Sequence, residues 1–284
     1  QHGIRSVAVL GAGTMGAQLA AHIANAGARV RLFDVDAAAA RAGLEKAAGR
    51  HPRPFFTHAA QRLVTFGSVA ADLDRLNEAD WIIEAVTEDI GLKRELFASI
   101  DGFRSPGTPV STNTSSLSVS ALSANRSNDF RRCWMGTHFF NPPRYLHLVE
   151  LVRAPETDTL VAARVARFCD VRLGKGIVAA RDTPGFIANR IGIFDTLQAL
   201  WALESGRYSI EDIDRMSGPA IGRPTSATFR MLDIVGIDVF ASAIASLRLR
   251  LDGAGERETF VTPPVVGGLL SRGWIGTKSG QGFY

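Results

Sequence analysis

The chain has 284 residues, of which 46% are hydrophobic and 21% charged, a composition that can bury a sizeable core and excludes a wholly disordered protein. Its net charge of +4 comes from basic residues spread along the whole chain rather than gathered in a stripe, which argues against a nucleic-acid binder. Two cysteines are too few for a disulfide framework, and no apolar run reaches the roughly 18–20 residues of a membrane span, so we expect a cytoplasmic protein without a membrane span.

Short apolar runs alternate with helical patterns in the first part of the chain. The runs that predict strands are Ile4–Leu10, Arg29–Phe33, Trp81–Val86, Pro109–Thr112 and Trp134–Phe139. The stretches that predict helices are Met15–Ala26, Ala37–Ala48 and Gly91–Ile100. Strands that alternate with helices are typical of βαβ units and a parallel sheet.

The pattern changes near Asp182–Pro184. From Pro184 onward the apolar residues recur with helical periodicity, as at Ile187 and Ile191, and few runs resemble strands. We therefore expect two domains, residues 1–183 with an α/β fold and residues 184–284 with an all-α fold.

A glycine-rich segment follows the first predicted strand. The sequence VAVLGAGTMG fits G-x-G-x-x-G with Gly11, Gly13 and Gly16, and Thr14 and Met15 lie between the second and third glycines. Such a loop allows a tight turn, lets the backbone approach a pyrophosphate and offers the N–H groups of the following helix to it. A purely structural glycine turn is the alternative.

Asp34 strengthens the dinucleotide-binding interpretation. It follows Gly16 by 18 residues at the end of the second predicted strand, where an acidic residue binds the ribose 2′-hydroxyl and repels a 2′-phosphate. No arginine occurs between Asp34 and Arg41. The sequence therefore favours NAD over NADP as cofactor.

A histidine and a glutamate stand out in the segment GTHFFNPPRYLHLVEL. A single histidine after an apolar strand, such as His138, is usually a satisfied core residue. Glu150, however, lies within the apolar run LVELV, and a buried carboxylate needs a partner. An imidazole–carboxylate pair meets that need and raises the basicity that general-base chemistry requires.

At these residues the chain resembles the L-3-hydroxyacyl-CoA dehydrogenase family of fatty-acid β-oxidation. The resemblance covers nearly the whole chain and rests on GAGTMG, EAVTEDIGLKRELF, TNTSSLSV, GTHFFNPP, LVEL, RDTPGFIANR and GTKSGQGFY. The segment IGRPTSATFRMLDIVGIDVF is most similar to the branch that is fused to an enoyl-CoA hydratase-like module.

The resemblance implies a catalytic set of four residues. His138 would be the general base and Glu150 its orienting carboxylate. Ser115 would bond the substrate oxygen and His138, and Asn189 would bond the substrate near the reacting carbon. Considered alone, the serines of NTSS could cap the next helix, and Asn189 could be a helix-surface residue or bond the backbone.

The resemblance also implies cofactor contacts at Asn113, Glu88 and Lys93. The alternatives are that Glu88 and Asp89 complement a helix N-terminus and that Lys93 lies on a solvated helix face. The histidines outside the catalytic segment show no metal-ligand spacing to nearby cysteines or carboxylates, so we predict no metal; they are His22, His51, His58 and His147.

For the fold, the resemblance implies an α/β N-terminal Rossmann domain with a doubly wound, mainly parallel sheet, followed by an all-α C-terminal domain. The implied activity is NAD-dependent oxidation of an L-3-hydroxyacyl-CoA to a 3-oxoacyl-CoA. The helical domain would contribute to substrate binding and form a homodimer interface, with fusion or partnership to a hydratase module. The alternatives are a dehydrogenase of non-CoA 3-hydroxy acids or sugar acids and a non-catalytic dinucleotide-binding protein.

The two ends of the sequence lead to one more expectation. The chain begins with QHG, without methionine, which we interpret as a processing remnant, and stops at GQGFY. We expect a catalytic core that, in the fused branch, is a fragment of a longer protein.

Overall fold

The computed structural model describes residues 3–284. Gln1 and His2, the first two residues of the expected processing remnant, lie outside the described residues. The chain divides into two compact units, Gln1–Thr183 and Pro184–Tyr284.

The first unit is built around one eight-stranded sheet. Its strands are β1 Ser6–Leu10, β2 Arg29–Asp34, β3 Val64–Ser68, β4 Trp81–Glu84, β5 Val110–Thr112, β6 Trp134–Phe139, β7 Leu148–Arg153 and β8 Gly176–Ala180. The spatial order is β3-β2-β1-β4-β5-β6-β7-β8, and every neighbouring pair is parallel except β6 and β7. The chain order reverses between β1 and β4, where doubly wound sheets bind ligands at the carboxyl ends of the strands.

Seven α-helices connect these strands. They are α1 Thr14–Asn25, α2 Ala37–Ala48, α3 His58–Gln61, α4 Ile90–Phe103, α5 Val119–Leu122, α6 Asn128–Arg132 and α7 Thr159–Val171, with a 3₁₀ helix at Leu73–Glu78. Asp36, Asp89 and Asp158 cap the N-termini of α2, α4 and α7 by accepting backbone N–H groups in the first turn. These caps satisfy donors that the helix itself leaves unpaired.

The core of this unit lies between the sheet and the helices. Leu19 and Ile23 of α1 pack in one cluster with Val9 of β1 and Val30 of β2. The strands nearest the switch are buried on both faces, as their continuous apolar runs require for a parallel sheet.

The second unit is helical and has its own core. Its helices are α8 Ala188–Glu204, α9 Ile210–Ser217, α10 Phe229–Val235, α11 Ile237–Arg250, α12 Ala254–Thr259 and α13 Pro264–Ser271, with 3₁₀ turns at Pro219–Ile221 and Thr277–Ser279. Leu197, Leu200, Phe229 and Ile244 lie at its centre. The expected fold class, a mainly parallel doubly wound sheet followed by an all-α domain, is confirmed.

Candidate active site

The glycine loop connects β1 to α1 at the switch between β1 and β4. Gly11 has φ +99°, and a Cβ there would lie 2.6 Å from the Ala85 carbonyl oxygen. A Cβ on Gly16 would lie 1.7 Å from the Gly11 carbonyl oxygen, whereas one on Gly13 would meet no atom within 4 Å. The first and third glycines therefore permit the tight turn and its packing, and the second leaves the approach to the loop open.

The N-terminus of α1 suits an anion. Gly13 is its N-cap and provides no side-chain cap, and the first turn, which includes Thr14 and Met15, contains no acidic residue. Its first N–H groups are thus available to a negatively charged ligand, which the helix dipole also favours.

Asp34 lies at the end of β2 and faces this loop. Its carboxylate accepts the N–H of Ala12 at 2.7 Å and the N–H of Val35 at 2.8 Å. Asp34 also borders a cavity of about 600 Å³ that Gly11, Gly13 and Val86 help to line. The loop and Asp34 thus surround a single space of the size of a ligand pocket.

His138 and Glu150 lie opposite each other on the antiparallel strands β6 and β7. His138 Nδ1 is 2.6 Å from Glu150 Oε2, and the two side chains are 6% and 1% exposed. The His138 ring also packs against Phe140, with ring centroids 4.5 Å apart. The carboxylate inside the apolar run is therefore paired with the histidine and fixes the orientation of its ring.

The loop after β5 contains Asn113 and Ser115. The Asn113 side-chain oxygen accepts the N–H of Phe139, the residue after His138, at 2.9 Å. The N–H groups of Ser115 and Ser116 both donate to Glu88 Oε1 at 3.1 Å. The loop is thus held on one side by the end of β6 and on the other by Glu88.

The contacts of these groups decide three alternatives left open by the sequence: the serines of NTSS do not cap α5, Asp89 does cap a helix N-terminus, and Lys93 does not lie on a solvated face. The side chain that caps α5 is Ser118, and Asp89 caps α4. Lys93 is 1% exposed and pairs with Glu84 at 2.7 Å and with Glu88 at 3.1 Å, so a solvated helix face is wrong for Lys93. Burial is the largest single influence on the pKa of Glu88 and raises it. The charge of Lys93 and the hydrogen bonds from Lys93 and the neighbouring hydroxyls together outweigh burial and hold this pKa below its usual range.

The two units match the two domain models of one family along nearly the whole chain. Residues 6–183 match the 3-hydroxyacyl-CoA dehydrogenase NAD binding domain, and residues 185–284 match the C-terminal domain of the same family. The chain belongs to the 3-hydroxyacyl-CoA dehydrogenase family. The cofactor of its N-terminal domain is NAD, and the open glycine loop and the accessible start of α1 fit it.

The relatives that match this chain differ in length. A probable 3-hydroxyacyl-CoA dehydrogenase from Bacillus subtilis is 41% identical over 99% of this chain, which spans 38% of that protein. A putative fatty acid oxidation complex trifunctional enzyme from Rickettsia felis is 31% identical, and the chain spans 41% of it. The chain is also similar to the crystal structure of (S)-3-hydroxybutyryl-CoA dehydrogenase from Ralstonia eutropha, with a TM-score of 0.84 and 28% identity. This match covers 99% of the present chain and 98% of the R. eutropha chain.

Asn189, the fourth residue of the family's implied catalytic set, lies in the second unit. It is the second residue of α8, and the N-cap Ile187 separates this helix from Phe186, a non-glycine residue with φ +45°. Its role as a substrate contact stays a prediction.

One residue of the site was missed in the sequence. Glu84 is fully buried at the end of β4, where it contacts Lys93 and Thr112. The signal that pointed to Glu150, a glutamate inside an apolar run, is also present in WIIEAV and would have found it.

Within residues 3–284, no three His, Cys, Asp or Glu side chains are grouped so that they could hold a metal ion. No helix in the same range is long and apolar enough to cross a membrane.

Proposed function

We propose that this chain oxidises L-3-hydroxyacyl-CoA to 3-oxoacyl-CoA with NAD, as a step of fatty-acid β-oxidation. The observation that carries the proposal is the buried His138–Glu150 pair at the end of β6 in a family whose N-terminal domain binds NAD. Dehydrogenation of a secondary alcohol needs a base at the hydroxyl, and this pair is built to supply one.

In this mechanism His138 accepts the hydroxyl proton of the substrate. Glu150 occupies the Nδ1 side of the ring at 2.6 Å, so the proton is taken at Nε2. The carboxylate then stabilises the imidazolium that forms. Bound NAD supplies the hydride acceptor for the carbon that carries the hydroxyl.

Ser115 and Asn189 orient the substrate in this proposal. Ser115 bonds the reacting oxygen, which it shares with His138, and its backbone is held by Glu88. Asn189 bonds the substrate near the reacting carbon. Asn113, Glu88 and Lys93 position the cofactor, and Asp34 selects NAD by binding the ribose 2′-hydroxyl and repelling a 2′-phosphate.

The remaining proposals concern the assembly. The helical unit forms a homodimer and contributes to substrate binding, and the chain works fused to or partnered with an enoyl-CoA hydratase module in the cytoplasm. The long B. subtilis and R. felis relatives support the fusion, and two buried free cysteines, Cys133 and Cys169, support a reducing compartment.

The proposed function is tested by following NADH oxidation spectrophotometrically with acetoacetyl-CoA and, separately, with free acetoacetate. We expect turnover with the thioester and none with the free acid. Turnover with free acetoacetate alone would instead support a dehydrogenase of non-CoA hydroxy acids. If the protein binds NAD but turns over neither acetoacetyl-CoA nor free acetoacetate, the result would support a non-catalytic dinucleotide-binding protein.

A further inference from the structure

A closed ring of polar contacts joins the loop after β4 to the loop after β5. The Glu84 carboxylate lies 2.7 Å from Lys93 Nζ and 2.6 Å from Thr112 Oγ1. Lys93 also pairs with Glu88 at 3.1 Å, and Glu88 accepts the hydroxyl of Thr114. The Thr114 N–H closes the ring by donating to Thr112 Oγ1 at 3.1 Å. We call these five residues the Glu84 ring.

The hydrogen bonds that the Glu84 carboxylate accepts favour its ionised form. The Thr112 hydroxyl donates to the Glu84 carboxylate, and Thr112 Oγ1 accepts the N–H of Thr114. The N–H of Val86 donates to the same carboxylate at 2.6 Å, and Lys93 donates a third bond. Burial raises the pKa of Glu84, and these three donors act in the opposite direction.

A charged group at this place is not explained by stability of the sheet. Glu84 is fully buried and Lys93 is 1% exposed, and the preceding residues of β4 are Trp81, Ile82 and Ile83. Well-packed apolar residues are often as stabilising as a buried ion pair, because both charges must be removed from water. The pair is better explained by what it holds in place.

The Glu84 ring holds the segment 113–116 from both sides. Asn113 lies between two ring threonines, donates its N–H to the Glu84 carbonyl oxygen at 2.8 Å and receives the N–H of Phe139 next to His138. On the other side, Glu88 receives the N–H groups of Ser115 and Ser116. A continuous path of hydrogen bonds thus runs from the loop after β4 to the strand of the catalytic histidine.

We propose that Glu84 is a positioning residue that acts through Lys93, Glu88 and Thr112. It fixes the segment 113–116, and thereby Ser115 and Asn113, relative to His138 and to the loop after β4. The expected effect of Glu84 on turnover rests on the proposed function. Its effect on the loop itself does not depend on turnover.

The sharpest test is a pair of substitutions at Thr112, which is fully buried in the ring. Thr112→Val keeps the volume and loses the hydroxyl, whereas Thr112→Ser keeps the hydroxyl and loses a methyl group. A positioning role predicts that Thr112→Val lowers kcat about tenfold or more and that Thr112→Ser stays within about threefold of wild type. A packing role predicts the opposite order, because only the serine leaves a cavity. That order would overturn the proposal.

Glu84→Gln tests the ring at its charged centre. We expect kcat to fall at least as far as in Thr112→Val, while the dissociation constant of NADH changes less than kcat. The control is Asp129→Asn, which removes the negative charge from the 2.6 Å ion pair with the buried Arg104 just beyond the other end of α4. We expect this variant to lose stability and to keep kcat within about twofold of wild type. An equal loss of kcat in Asp129→Asn and Glu84→Gln would overturn the positioning role.

Hydrogen exchange separates this inference from the proposed function. The Ser115 and Ser116 amides, which donate to Glu88, should exchange about tenfold faster or more in Thr112→Val than in Thr112→Ser or wild type. If the wild-type protein turned over no 3-hydroxyacyl-CoA, the proposed function would be refuted, but the hydrogen-exchange comparison would still test the Glu84 ring. Unchanged exchange in Thr112→Val would refute the Glu84 ring as the element that holds the loop.

Discussion

A Cβ atom on Gly43 would lie 2.2 Å from the carbonyl oxygen of Ala12. The absence of a side chain at this position of α2 therefore lets the helix pack directly on the glycine loop. The N–H of the same Ala12 donates to Asp34 at the end of β2. One small residue in α2 thus secures the loop that, with Asp34, surrounds the cavity next to β1.

Two glycine-to-alanine substitutions in helices should have opposite effects for this reason. Gly102 lies in α4, and a Cβ there would meet nothing within 4 Å, so Gly102→Ala should stabilise the protein by about 0.5–1 kcal/mol through helix propensity. Gly43→Ala forces α2 away from the loop and should lower both stability and NAD affinity. Urea unfolding and NADH fluorescence titration measure the two effects. NADH affinity within twofold of wild type in Gly43→Ala would show that the loop tolerates the displacement.

The preference for NAD over NADP should depend on Asp34 and not on the acidic residue two positions later. Asp34→Ala removes the charge that would repel a 2′-phosphate and frees the N–H groups of Ala12 and Val35. We expect the ratio of kcat/KM for NAD to that for NADP to fall about tenfold or more. Asp36→Ala removes only the cap of α2 and should cost about 1 kcal/mol of stability with the ratio preserved. An unchanged ratio in Asp34→Ala would remove Asp34 from this role.

The sequence predicted the elements around the site because strong local signals mark them. The helix Ala37–Ala48 and the strand Trp134–Phe139 have the predicted bounds, and the others agree to within a few residues at their ends. β3, β7 and β8 were not predicted. β3 is interrupted by Thr65 and Gly67 and β7 by Glu150, and in β8 only Ile177 and Val178 favour a strand, because alanine and glycine are depleted in strands.

The sequence predicted the His138–Glu150 pair from the cost of burying an unpaired carboxylate and not from the geometry of the strands. The antiparallel register that places His138 opposite Glu150 depends on the turn between β6 and β7, which local periodicity does not encode. Lys93 shows the same limit. A lysine at the start of a helix usually faces solvent, and its burial follows from Glu84, which lies nine residues earlier on a strand.

Removal of the proposed base should abolish most of the turnover. We expect His138→Ala to lower kcat by roughly 10²–10⁴-fold, the range that a positioned general base contributes. His58→Ala, at the exposed start of α3, is the matched histidine control and should leave kcat unchanged. Steady-state kinetics with a 3-hydroxyacyl-CoA measures both. A loss of less than tenfold in His138→Ala would mean that another group accepts the proton.

Stability should fall as the pH decreases because of a histidine outside the site. Burial in α1 lowers the pKa of His22 to about 4, and the nearby charges of Lys175 and Arg144 act in the same direction. The unfolded chain takes up this proton near pH 6.5 and the folded chain only near pH 4, so the unfolded state binds more protons between these values. The free energy of unfolding should thus decrease by up to roughly 3 kcal/mol as the pH falls from 6.5 to 4.

The contribution of His22 can be isolated by comparing urea unfolding between pH 7 and pH 4 in variants. His22→Leu should show a flatter dependence of the unfolding free energy on pH than wild type, whereas His58→Leu should keep the wild-type slope. Equal slopes in all three proteins would assign the acid sensitivity to other groups.

The proposed homodimer makes a prediction about one face of α8. Ile191, Phe194 and Trp201 are 62%, 43% and 41% exposed, although Leu197 and Leu200 of the same helix are buried in the core. An apolar stripe that remains exposed on a helix with a separate buried stripe is typical of an interaction surface. Phe194→Glu should therefore shift the protein from dimer to monomer in sedimentation velocity. Leu249→Glu, at a residue of α11 that is 83% exposed, is the control and should leave the dimer intact. A wild-type chain that sediments as a monomer at micromolar concentration would rule out this face as a stable homodimer interface.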